Sequence, residues 1–194
     1  MSRVLLMAIV CVGLIAGCAN PQHPIEMPKK PAPAPELAKL NCFVGTWTGT
    51  AEMDVPGPAE AEKGKGDAAK PMTFKGGGKY EWALDGMFLK CEGWHDMGEG
   101  QKATYVSYIG WDAKAKKYCH TYVSDWGEIG EGWMMLDADG TTFRAETESV
   151  DAKGQKSSGE GVMKFVDDKT IEWTWTESMP GGKMKLHGTD RKQP

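Results

Sequence analysis

The sequence predicts an all-β domain, an antiparallel up-and-down barrel of about ten strands closed at one end by a short N-terminal helical plug. Three observations carry that prediction. Ten short runs rich in β-branched and aromatic residues follow one another, turn residues separate them, and several alternate apolar and polar side chains with period two. No long amphipathic helix is present to cover an open sheet, so closing the sheet on itself is the economical way to remove its edges.

The elements begin with a segment that does not belong to the fold. Arg3 precedes an apolar run from Val4 to Ile15, which has the size of a signal-peptide core and is too short to span a bilayer, since spanning needs roughly 20 apolar residues. The run ends in Leu14-Ile15-Ala16-Gly17-Cys18, which resembles the lipobox of bacterial lipoproteins. The resemblance implies cleavage of residues 1–17 and lipidation of Cys18, the membrane being the partner that this residue reaches. At least two acyl chains are implied, and two make a stable anchor where one gives marginal binding. Ala19 follows the cysteine in place of the aspartate that retains some enterobacterial lipoproteins in the inner membrane. The expected address is therefore extracytoplasmic, at the outer membrane facing the periplasm if the cell is diderm.

Residues 18–36 read as a tether. Pro21, Pro24, Pro28, Pro31, Pro33 and Pro35 favour extended conformations, and the sixteen residues 20–35 at about 3.1 Å each reach roughly 50 Å. Losing residues 1–17 removes Arg3 and no acid, which moves the formal charge from −4 to −5. A mildly acidic chain without a basic cluster is not a nucleic-acid binder. Residues 37–191 are enough for one domain, with 192–194 as a tail, and Cys42, Cys91 and Cys119 remain in it. Their spacing fits neither a metal site nor a CxxC motif, and they are read as buried small residues or as one bridge with one thiol left over.

Within the domain, Pro35 to Leu40 looks helical and leads into the first strand, Gly45 to Asp54. A Gly, Ala, Lys and Pro-rich insertion, 55–71, follows it. The remaining strands are expected at Lys79–Leu84, Met87–His95, Ala103–Trp111, Lys117–Asp125, Glu131–Leu136, Thr142–Val150, Gly159–Val166, Thr170–Ser178 and Lys183–Arg191. Separators such as Asp85-Gly86, Asp137-Ala138-Asp139-Gly140 and Pro180-Gly181-Gly182 are hairpin material, and connections this short make neighbours antiparallel. Ile171, Trp173 and Trp175 against Glu172, Thr174 and Thr176 show the two faces of one strand.

Gly45-Thr46-Trp47 at the start of the first strand resembles the Gly-x-Trp signature of the calycin superfamily, which includes the lipocalins. A longer pattern strengthens the likeness: Leu84-Asp85-Gly86-Met87-Phe88-Leu89, Tyr108-Ile109-Gly110-Trp111-Asp112, Lys117-Tyr118, Asp125, Glu131-Gly132-Trp133 and Thr189-Asp190-Arg191. Together these are similar to bacterial lipocalin-like domains of unknown function. The resemblance implies a structural closure in which Arg191 stacks on Trp47 beside Gly45, a contact worth roughly 0.5–2 kcal/mol. The 55–71 insertion departs from the compact first hairpin of that pattern.

The resemblance lends a fold and little chemistry, so function is sought among interior side chains. Trp82, Trp111, Tyr118, His120, Tyr122, Trp126, Trp133, Trp173 and Trp175 are the candidate lining of a pocket for a small hydrophobic or amphipathic ligand; a barrel filled by the same rings is the alternative. His120 alternates with Tyr118, Tyr122 and Trp126, which places the four on one face and makes His120 a polar anchor or a hydrogen-bonded core histidine. His95-Asp96, at a strand end, is expected to face water. His187 shares its parity with Lys185 and Arg191, and heme-binding calycin relatives carry an axial histidine near this strand, which gives a weaker heme alternative; otherwise no cofactor and no metal is expected. Asp137-Ala138-Asp139-Gly140 resembles the start of a calcium loop but lacks its closing acid and reads as a turn. No nucleophile, zinc or phosphate-loop motif occurs, so no catalytic residue is nominated. The readings carried forward are a membrane-tethered ligand-binding barrel, a cell-envelope interaction or structural module with a filled barrel, and a heme-binding or enzymatic barrel.

Overall fold

The computed structural model describes residues 29–54, 71–96, 98–180 and 182–194. The expected signal peptide, Cys18, most of the expected tether and residues 55–70 of the insertion lie outside the described residues. The barrel unit is Ala32–Pro194. It opens with a 3-10 helix, Pro35–Cys42, followed by β1 (Gly45–Asp54), β2 (Met72–Ala83), β3 (Phe88–Asp96), β4 (Lys102–Asp112) and β5 (Lys117–Ser124). It continues with β6 (Ile129–Leu136), β7 (Thr142–Val150), β8 (Lys156–Asp167), β9 (Thr170–Met179) and β10 (Gly182–Lys192). Each strand pairs antiparallel with its sequence neighbours, and β1 pairs with β10, so the ten strands form one closed barrel. Among the described residues no helix is long and apolar enough to cross a membrane.

The plug follows from a spacing of three. A 3-10 helix has three residues per turn, so Leu37, Leu40 and Phe43 fall in one line. All three are buried at the barrel end, with Phe43 packed 4.9 Å from Phe165 and 5.0 Å from Phe143 between ring centroids. Pro35, with its fixed φ and missing N–H, starts the helix where no donor is needed. Trp47 Nε1 donates to Phe43 O at 2.7 Å and ties the helix to β1.

Closure at this end differs from the expected stacking of Arg191. The ammonium over the Trp47 ring is that of Lys192, 5.5 Å from the ring centroid, while Arg191 is exposed and reaches Thr170 Oγ1. Register is the cause: Trp47 pairs with Lys192, and Arg191 pairs with Thr48, whose side chain points the other way. Gly45 has φ +129°, a conformation that favours glycine, and a Cβ there would lie 2.6 Å from Lys192 Cε.

β2 is longer than expected, beginning at Met72 and not at Lys79, so Gly76-Gly77-Gly78 lies inside a strand. These positions have no room for side chains: a Cβ on Gly77 would meet Trp47 O at 2.4 Å and one on Gly78 would meet Cys91 Sγ at 2.9 Å. β5 ends at Ser124, one residue sooner than expected.

Four inward-facing aromatic rings each pair across strands with a glycine: Tyr105 with Gly93, Tyr122 with Gly130, Trp175 with Gly161 and Trp173 with Gly188. A Cβ on any of these glycines would lie between 2.1 and 2.6 Å from the opposite ring. The rings therefore occupy the space a side chain would take and lie along the barrel wall. Overpacking of this kind costs about 1–3 kcal/mol, so Gly161→Ala is expected to lower stability by that amount in urea denaturation, with Trp175→Leu in the same chain restoring part of it. An unchanged midpoint would show that Trp175 does not depend on Gly161.

Candidate functional site

The barrel interior divides into a half filled by the plug and a half that opens toward the other end. Three of the candidate pocket residues belong to the filled half. Trp82 Nε1 donates to Asn41 Oδ1 at 2.9 Å, Tyr118 OH donates to Glu36 O at 3.0 Å, and Trp111 packs edge-on against Tyr118 at 5.0 Å. Their polar atoms hold the helix to the wall.

The opposite half, the mouth, holds a smaller apolar cluster of Ala51, Met53 and Phe74 against Met184 and Leu186 on one side, and polar groups and ring faces on the other. Glu128 Oε1 accepts from Tyr122 OH at 2.8 Å and from Ser149 Oγ at 2.7 Å. Ser149 and Ser157 share a contact of 2.7 Å, Ser157 Oγ donates to Glu177 Oε1 at 2.5 Å, and Trp175 Nε1 donates to Glu177 Oε2 at 2.7 Å. This chain crosses five strands or their ends and joins two carboxylates. Among the described residues neither carboxylate meets a lysine or arginine. Burial pushes the Tyr122 hydroxyl well above its usual range. His120 points inward beside Tyr122, ring centroids 5.6 Å apart, and burial lowers its pKa to about 4.

Glu128, Ser149, Ser157 and Glu177 were not among the sequence candidates. Glu177 carried a signal, because it shares the parity of Trp173 and Trp175 and thus puts an acid on the apolar face of β9. Glu128 precedes β6 in a turn, where parity says nothing.

A cavity of about 60 Å³ lies among β1, β2, β3, β4, β9 and β10, its wall including Gly76, Gly78, Phe74, His95, Trp173 and Asp190. Two buried polar atoms have no hydrogen-bond partner there: His95 Nδ1 and Trp173 Nε1. The expectation that His95 faces water is corrected. It has the inward parity of Leu89, Cys91 and Gly93, stacks on Tyr105 at 5.3 Å, and its pKa is lowered by burial. The Asp190 carboxyl is pushed upward by burial and held back by the nearby Trp173 N–H, although the two do not meet in hydrogen-bond geometry. Tyr80, Tyr105 and Ser107 surround the Cys91 thiol, which burial pushes up to about 11, far from a reactive thiolate. Cys42, Cys91 and Cys119 are all free.

Two candidate pocket residues lie outside the barrel. Trp126 is 59% exposed, because β5 has ended and its alternation no longer applies in the turn. Trp133 is on the outer face of β6, where Gly132 and Met134 take the inward parity, and Lys117 Nζ lies 5.8 Å from its ring centroid. His187, the heme candidate, points outward from the barrel, 3.4 Å from Glu52. Asp139 accepts from the Thr141 and Thr142 amides and from Thr142 Oγ1, which engages it in the turn. Among the described residues no cluster of three or more potential metal ligands occurs.

His120 makes stability depend on pH in a defined direction. Its folded pKa of about 4 lies below the ordinary 6.5, so the unfolded chain binds the extra proton. Its contribution is intact above pH 6.5 and lost as pH falls toward 4, amounting to about 3 kcal/mol. His120→Asn is expected to flatten that part of the stability profile in urea melts between pH 7 and 4; an identical slope in both proteins would contradict the buried, neutral imidazole.

The fold has solved relatives at low sequence identity. Rv2717c from M. tuberculosis is 12% identical, with a TM-score of 0.63, covering 84% of this chain and 100% of its own. The S-type phycobiliprotein lyase CPES from Guillardia theta is 12% identical, with a TM-score of 0.51, covering 79% of this chain and 89% of its own. No curated protein matches the sequence. A family model described as "Protein of unknown function (DUF1579)" matches residues 32–187, nearly the whole barrel unit, and the chain therefore belongs to that family.

Proposed function

We propose that this protein is an extracytoplasmic lipoprotein, anchored through Cys18, that binds a small amphipathic molecule in the mouth half of its barrel. The lipobox-like Leu14 to Cys18 supports the anchor, and the proline-rich tether would let the barrel work some tens of ångströms from the membrane. The observation that carries the binding reading is the unequal interior. One half is filled by aliphatic and aromatic packing around the plug. The other holds, beside a smaller apolar cluster around Ala51, Met53 and Phe74, ring faces laid against glycines, a chain of polar side chains, and two buried polar atoms without a hydrogen-bond partner.

Polar groups in a barrel interior cost stability unless something satisfies them, so their concentration at one end favours a role in recognition. The mouth offers flat apolar surfaces from Tyr122 and Trp175 next to donors and acceptors, which suits a molecule with one polar end. A protein sharing this fold, the phycobiliprotein lyase, shows that the scaffold is used for more than a structural role elsewhere. The filled-barrel reading draws on the size of the cavity beside Trp173 and His95, about 60 Å³, well below the ~300 Å³ at the lower end of typical ligand sites.

Two arms test the reading. Full-length protein expressed in a bacterium is expected to carry acyl chains on Cys18 by mass spectrometry and to fractionate with membranes, and Cys18→Ser to lose both; a wild-type chain without acyl mass would remove the anchor. Titration with N-phenyl-1-naphthylamine, an uncharged amphipathic fluorophore, is expected to give saturable one-to-one enhancement that Trp175→Leu weakens about tenfold, or about 1.4 kcal/mol. Absence of saturable enhancement favours the filled barrel.

A further inference from the structure

At the mouth, the outer face of the wall carries apolar side chains where contact with water favours polar ones. Val106, Val123, Ile129 and Val150 are cross-strand partners in one row over β4, β5, β6 and β7, all with outward parity. Val123 is 52% exposed, Ile129 60% and Val150 37%. The row crosses three strand spacings, about 14 Å. The next row toward the plug holds Tyr108, Thr121, Glu131 and Glu148, with the two acids directly opposite each other. The aliphatic row is therefore the last one before the rim, and a contiguous exposed apolar patch marks a contact surface where a lone exposed side chain does not.

Beyond this row the turn between β5 and β6 presents Trp126, 59% exposed. The turn is ordered: Thr104 N and Oγ1 donate to the Asp125 carboxylate at 2.9 and 2.8 Å, and Gly127 N donates to Ser124 O at 3.0 Å. A lipid surface takes aliphatic side chains at its acyl boundary and an indole at headgroup level. Glu131 and Glu148 would repel an anionic surface, so the matching surface is zwitterionic. Chain length permits the approach. Pro33 lies over the turn between β2 and β3 at the plug end, its Cγ 3.5 Å from where a Cβ on Gly86 would be. Extended chain from Cys18 to Pro33 covers about 45 Å, whereas the row is only about 20 Å of strand from Lys117 at that end. A tether of this length holds the rim at high effective concentration beside the bilayer, so a modest patch is enough.

We propose that the row from Val106 to Val150, together with Trp126, docks the rim of the barrel on a zwitterionic phospholipid bilayer. The inference rests on the reading of Cys18 as the anchor and adds an orientation, mouth toward the membrane and plug away from it. Tyr122 and Ser149, the strand neighbours of Val123 and Val150, face inward and belong to the hydrogen-bonded chain of the mouth. The docked shoulder is thus the outer side of the chamber wall, which puts the mouth at the surface that holds amphiphiles.

Full-length protein made in a bacterium and reconstituted with phosphatidylcholine vesicles tests the docking, with the acyl state of Cys18 read separately by mass spectrometry. Tryptophan emission is quenched from the lipid side by brominated phosphatidylcholine and from the water side by acrylamide. Trp126→Phe is expected to remove at least half of the lipid-side quenching. Val123→Thr with Ile129→Thr, which keeps Trp126 and β-branched side chains in both strands, is expected to halve it as well. Lipid-side quenching that either substitution leaves unchanged overturns the docking while the anchor stands. Trp126 reached by acrylamide alone places the rim in water, and Trp126 reached by neither quencher assigns the face to a second copy or a protein partner; both overturn the bilayer. No acyl mass and no vesicle association overturn anchor and docking together, whereas a chain without acyl mass whose Trp126 is still quenched from the lipid overturns the anchor alone.

Discussion

Backbone pairing between β1 and β10 is the constraint from which the other features follow. Once Trp47 is opposite Lys192 and Asp54 opposite Lys185, the sheet has no edge, and every side chain is committed by parity to the inside or the outside. That commitment buries Leu89 and Cys91 on β3 and carries His95 inward with them. It also puts the Lys192 ammonium over Trp47 and sends Arg191 outward. A shift of one residue in this pairing would exchange the two.

Closure also makes the ends unequal. The 3-10 helix enters one end, and its Leu37, Leu40 and Phe43 complete a core with Phe143, Phe165 and Ile171. The hydrogen bonds from Trp47, Trp82 and Tyr118 fasten the plug to the wall, and the one from Trp47 satisfies the buried Phe43 carbonyl. At the mouth no such element enters among the described residues, and the interior is divided between a smaller apolar cluster around Ala51, Met53 and Phe74 and hydrogen-bonding side chains from Tyr122 to Glu177. The glycine opposite each of Tyr105, Tyr122, Trp173 and Trp175 lets the ring lie over the neighbouring strand, where a Cβ would collide with it.

Much of this was legible in the sequence, because hairpin turns and period-two alternation are local signals. The barrel, its ten strands and the plug at Pro35 follow from them. What was not legible depends on register across strands. Gly76 to Gly78 read as loop because the reason for three glycines is the closeness of Trp47 O and Cys91 Sγ, which lie on other strands. Trp126 continues the alternation of Tyr118, His120 and Tyr122, and Trp133 is one more aromatic candidate, yet Trp126 lies beyond the end of β5 and Trp133 has the outward parity of β6. The chain from Glu128 to Glu177 joins residues up to 49 positions apart by the numbering and has no local signature beyond the acid on the apolar face of β9. The pocket candidates were thus divided by the fold, with Trp82, Trp111 and Tyr118 on the plug, and His120, Tyr122, Trp173 and Trp175 around the chamber.

The central claim is that binding takes place in the mouth half and not on the outer face or around the plug. Assigned indole N–H resonances of the eight tryptophans, followed by two-dimensional nitrogen-15 NMR as 1-octanol is added, test it most directly. The account predicts saturable shifts at Trp173 and Trp175 with Trp47 and Trp82 unmoved; shifts confined to Trp126 and Trp133, or no shift at any indole, would contradict it.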